Sequence, residues 1–181
     1  MDVPTPATDS ARSDHRRPAR VLVAAVVLGA LAAAAWWWTH PQAFDAYGGR
    51  GRTEVAVGRT ANLNLLVPSR DVDVTVRSIR ADVVQDSADA DVELVLCGHV
   101  DGAFTGDSVG PLGPAQCSSV RPATEAADVD WGREALVVRV TPRRQGTVRI
   151  AGAVVRHTRD WRHAWQTGTE RTGTELVVSA R

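Results

Sequence analysis

The run from Val21 to Trp38, VLVAAVVLGALAAAAWWW, carries no charged residue and constrains the chain more than any other feature. As a helix rising ~1.5 Å per residue it reaches about 27 Å, close to the ~30 Å hydrocarbon thickness of a bilayer. It is apolar all round, without the polar stripe of a helix packed on a soluble core. Trp36, Trp37 and Trp38 supply rings suited to the membrane–water interface. His40-Pro41 then ends the helix, because proline lacks the amide hydrogen and crowds the preceding turn. The pattern predicts a membrane-spanning helix over residues 21–38, with the lipid bilayer as its partner.

Arg12, Arg16, Arg17 and Arg20 precede this segment closely, whereas His40 to Gly49 contains no arginine. Basic flanks stay cytoplasmic, so the N-terminus is expected inside and the remainder outside, in a single pass. The alternative is a secretory signal cleaved at the small residues Ala33-Ala34-Ala35, which would release the rest of the chain. The long basic leader and the three tryptophans beyond that cut favour an anchor. Residues 1–20, rich in Pro, Ser, Thr, Asp and Arg, cannot bury a core and are expected to be disordered. Residues 39–52, ending Gly-Gly-Arg-Gly-Arg, are expected to form a flexible linker to a folded domain over residues 53–181.

Within that domain, apolar residues alternate with period two, as in half-buried strands. Leu63, Leu65 and Val67 oppose Asn62 and Asn64; Val72, Val74 and Val76 oppose Asp71, Asp73, Thr75 and Arg77. Val92, Leu94 and Leu96 form a third set, Leu136, Val138 and Val140 a fourth, followed by Val148 and Ile150 and by Leu176 and Val178. The alternation slips phase at Ser78, where a bulge would reconcile the two faces. Roughly seven short strands with no helical period between them predict an all-β domain. An immunoglobulin-like antiparallel β-sandwich is expected, with a small β-barrel as the alternative.

Charge narrows the partners. The chain has 21 basic and 21 acidic residues, every basic one an arginine, so nothing in its balance points to nucleic acid. Cys97 and Cys117 are the only cysteines, and on the outer side of a membrane they are expected to form a disulfide. His99 beside Cys97 is too little for a zinc site. The bridge would fasten the Gly- and Pro-rich stretch Gly98–Arg133, one of two irregular surfaces expected to meet a partner. The other is Arg156–Thr172, where Trp161 and Trp165 lie among Arg156, Arg159 and Arg162, residue types enriched at recognition hot spots. The competing reading there is that both tryptophans close the core while Arg and His face water.

No nucleophile elbow, phosphate-binding loop, dinucleotide fingerprint or zinc-protease helix occurs. His157, His163 and Asp160 match no standard metal spacing. Neither an enzyme nor a cofactor is expected. The anchor, the small β domain and the closing run Trp161 to Arg181, with its Gly-Thr-Glu-Arg-Thr-Gly turn region, resemble uncharacterised single-pass membrane-anchored β-domain proteins of high-GC Gram-positive bacteria. That resemblance implies location and brings no catalytic or ligand residue with it. The expectation is a membrane-tethered binding or accessory module that contacts another cell-envelope component. A sensor or carrier of a small ligand or metal is the alternative, and a structural spacer the third reading.

Overall fold

The computed structural model describes residues 16–39, 43–44, 49–67, 74–99, 107–123, 129–159 and 166–181. The chain divides into two compact units, Met1–Thr39 and His40–Arg181. Among its described residues the first holds one helix, α1 (Arg16–Thr39), whose segment Val21–Thr39 is long and apolar enough to cross a membrane. The helix starts earlier than expected: residues 16–20, placed by sequence in a disordered tail, form its first turns. It stops at Thr39, whose hydroxyl donates back to the Ala35 carbonyl at 2.9 Å.

The second unit contains two five-stranded sheets that share one core. Its strands are β1 (Arg50–Val55), β2 (Ala61–Leu66), β3 (Val74–Asp86), β4 (Asp91–Gly98) and β5 (Ser108–Val109), then β6 (Val120–Pro122), β7 (Glu134–Thr141), β8 (Gly146–Arg159), β9 (Thr167–Thr172) and β10 (Glu175–Ala180). Sheet A runs β1-β10-β8-β3, with β9 also paired to β8; sheet B runs β5-β2-β7-β4-β6. β8 organises sheet A. Its first half pairs with β10 and its second half with β9, while β3 follows its other edge along nearly the whole length. A register shift between Val76 and Ser78 coincides with the phase slip in the sequence.

The pairing is not wholly antiparallel. β1 lies parallel to β10, Arg50 opposite Glu175 through Val55 opposite Ala180, so residues assigned by sequence to the end of a linker begin a strand. Between the sheets, Val55, Leu63, Leu65, Leu96, Leu136, Val138, Ile150, Val155, Leu176 and Val178 form the main core. Sheet B is also covered on its outer face. Val95 and Val137 pack there against Cys97, Cys117 and Leu112, and Asn62 donates its side-chain amide to the Gly110 carbonyl at 2.7 Å. The disulfide Cys97–Cys117, with Cα atoms 5.2 Å apart, holds this cover down.

A second part of the expected linker is also tied into the fold. Phe44 is buried, its ring edge-on to Trp131 at 5.2 Å between centroids and to His157 at 5.8 Å. The Glu170 carboxylate accepts the Ala43 amide at 2.7 Å through Oε1 and the Phe44 amide at 3.2 Å through Oε2.

Candidate binding face

With part of the outer side of sheet B covered, the outer side of sheet A is the broader open face. Period-two alternation assigns its residues. In β8, Val148, Ile150, Val155 and His157 are buried while Arg149 and Arg156 are exposed; in β10, Leu176 and Val178 are buried and Glu175 and Val177 lie on the other side. In β1, Arg50, Arg52 and Glu54 are exposed.

Register then brings arginines from distant parts of the chain into rows. Arg52, Val177 and Arg149 lie abreast across β1, β10 and β8; Arg171, Val154 and Arg80 lie abreast across β9, β8 and β3. Arg156 stands between Thr169 and Ser78. Arg77 reaches the same face, its Nε donating to the Thr158 hydroxyl at 3.3 Å. Among the described residues, eight guanidiniums (Arg50, Arg52, Arg77, Arg80, Arg149, Arg156, Arg171 and Arg181) share the face with three carboxylates (Glu54, Asp82, Glu175), an excess of five positive side-chain charges in a chain whose formal net charge is zero.

The carboxylates are engaged. Glu175 takes Arg149 at 2.8 Å and Arg50 at 3.3 Å, and the Arg149 hydrogen bond chiefly holds its carboxyl below the ordinary range. Asp82 meets Arg171 at 2.6 Å, and Glu54 meets Arg181 at 3.0 Å. Over Val177 the side chains of Arg50, Arg52, Arg149, Thr147 and Glu175 border an open groove of about 590 Å³. Arginine's planar fork matches carboxylate and phosphate oxygens.

The irregular surfaces expected from sequence are placed only in part. Trp161, Trp165 and Arg162 lie outside the described residues. Arg156 is on the open face, whereas Arg159 ends β8 on the opposite side of the strand, where its amide donates to the Gln166 carbonyl at 2.8 Å to close the β8–β9 hairpin. His157, expected with the water-facing residues, is instead fully buried, because it shares the parity of Val155 and faces the core. Burial pushes its imidazole below the usual pKa, against the opposing pull of Glu170, whose carboxylate is 3.2 Å away.

Beside the disulfide, a polar cleft of about 650 Å³ opens between the ends of β4 and β7. Its central charges are matched: Arg121 grips Glu134 at 2.9 and 2.6 Å, and the Asp130 amide donates to Glu134 at 3.0 Å. Burial raises the Glu134 pKa, but these bonds outweigh it and leave the group below its ordinary value. No group of three or more potential metal ligands occurs among the described residues.

Sequence reading missed Arg50, Arg52, Arg80, Arg149 and Arg171 as one set. The parity of each strand was legible; what joins the arginines is register, which a single sequence does not display. No protein-family model, no curated protein and no solved structure matches the chain.

Proposed function

We propose that the chain is a membrane-tethered, non-catalytic binding module that engages an acidic surface on another cell-envelope component through the arginine-bearing face of sheet A. The observation that carries this reading is the asymmetry between the two outer faces: one is partly covered by a disulfide-fastened segment and its Arg139 and Glu93 are matched, whereas the other is open with an excess of five positive side-chain charges among the described residues. Helix α1 supports the tether, the arginines before it support a cytoplasmic N-terminus, and the disulfide supports an oxidising compartment for the domain.

The module is of immunoglobulin-like type in this reading. β2-β7-β4 in one sheet and β3-β8-β10 in the other follow the B-E-D and C-F-G orders of that sandwich. It departs from the type in placing β1 beside β10 and in keeping its disulfide at the edge of one sheet.

The test is chemical crosslinking in intact cells, affinity capture of the full chain and mass spectrometry, with wild type compared to the pair Arg52→Glu and Arg149→Glu. One dominant envelope partner with an acidic surface should be recovered with wild type and lost with the charge-reversed pair, at unchanged melting temperature. Recovery of the same partner at the same yield from both would sink the reading.

A further inference from the structure

Glu170 and the slot beside it hold the segment Ala43–Phe44 from far along the chain, whereas the similar grip of Asp86 on the Ala88 and Ala90 amides is a local turn. Every strand is fixed by a backbone ladder, but Ala43 and Phe44 belong to none, and the next ladder among the described residues begins at Arg50. They are gripped by a side chain instead: the two oxygens of Glu170 take two successive amides, at 2.7 and 3.2 Å. Such a grip reads main chain and is indifferent to side-chain identity. Selectivity comes from the ring, which Trp131 and His157 meet edge-on.

The walls of the slot are also costly for a permanent plug. His157 is fully buried beside a carboxylate, and burial opposes its protonation. Trp131 is fully buried as well, and its indole N–H finds no acceptor among the described residues. A buried donor without an acceptor is a hydrogen bond that the resident segment leaves unmade. An apolar pair in place of His157 and Glu170 would seal a core at lower desolvation cost.

We infer that this slot is a recognition site for an extended peptide segment bearing an aromatic side chain, and that the chain's own Ala43–Phe44 occupies it in the resting state. A competing segment would offer Glu170 the same two amides, place its ring against Trp131 and His157, and bring a carbonyl for the indole N–H. The slot is separate from the arginine face, so either proposal stands without the other.

Two measurements on the full chain in detergent micelles decide it. Hydrogen exchange by mass spectrometry should show the Ala43 and Phe44 amides exchanging at least tenfold faster than the Val148–Val155 stretch of β8, by an opening that leaves the sheets closed. Equal rates, meaning exchange only on global unfolding, would make Phe44 ordinary core and overturn the inference. Fluorescence anisotropy with an end-blocked, dye-labelled peptide of sequence Gln-Ala-Phe-Asp-Ala should then show at least tenfold tighter binding to Phe44→Ala than to wild type, with no binding of the Gln-Ala-Ala-Asp-Ala control. Equal binding to both proteins, or none to a folded Phe44→Ala, would also overturn it. Should that variant fail to fold, Glu170→Gln keeps the ring in place: it should speed exchange at Ala43 and Phe44 while β8 is unchanged, and equal acceleration of both would count against the site.

Discussion

Gly173 occupies a position that no other residue fills without strain. Its φ is +98°, and a Cβ built there would lie 2.3 Å from the Leu65 carbonyl oxygen, in a backbone that cannot retreat. Gly152, at φ +126° with its Cβ position 2.6 Å from the Thr172 oxygen, is constrained in the same way, and together the two let β9 and β10 share one edge of β8. Gly173→Ala is expected to lower stability by at least ~2 kcal/mol, combining left-handed strain with the clash, as read from the urea midpoint. His157 gives a pH signature. Its folded pKa is depressed by burial below the unfolded value of about 6.5, so the unfolded chain takes up the proton first as pH falls. The stability it contributes is complete above about pH 6.5 and is lost as pH drops toward the folded value. Glu170, which opposes the shift, and Arg159, which deepens it, are the charged groups that bear on it. The melting temperature should therefore fall between pH 7.5 and 5, and His157→Gln should flatten that slope.

The disulfide-fastened cover on sheet B shows which elements a sequence reveals. Cys97–Cys117 closes a loop of sequence separation 20, worth about 3 kcal/mol in the chain-entropy model. Replacing both cysteines by alanine should cost about that much in a denaturant titration and raise exchange at Val95 and Val137, while the β1–β10 amides hold. Most strands were legible because one side of each is apolar, and the bulge after Val76 was legible from the change of phase. That sheet B is buried on both faces was also written in the chain: LVLC over Leu94–Cys97 and ALVV over Ala135–Val138 are continuous apolar runs of the kind that mark two-sided burial. Reading them as simple alternation left the cover as a loop of unknown place. β1 and β9 were hidden for a different reason. RGRTEV and TGTERT contain almost no apolar residues, and they become strands because β10 and β8 present unpaired edges for them to complete.

For the molecule as a whole, electrostatics separates the two outer faces more than packing does. The arginine rows from Arg149 to Arg156 extend along β8 for about 23 Å at ~3.3 Å per residue, well beyond the ~8 Å screening length at physiological salt. If the arginine face meets an acidic partner as proposed, capture by the wild-type chain should weaken as salt rises from 50 to 500 mM, mainly through slower association. This asymmetry was illegible from a composition with no net charge, because the excess exists only once the five strands of sheet A are in register. The parallel pairing of β1 with β10 joins the first strand of the domain to its last. β1 leaves the ribosome long before its partner exists, so sheet A closes only after nearly the entire domain has been synthesised. Contacts so distant in sequence make for slow folding, in milliseconds to seconds, and leave the Arg50–Val55 edge waiting, dependent on its own arginines to stay soluble until β10 arrives.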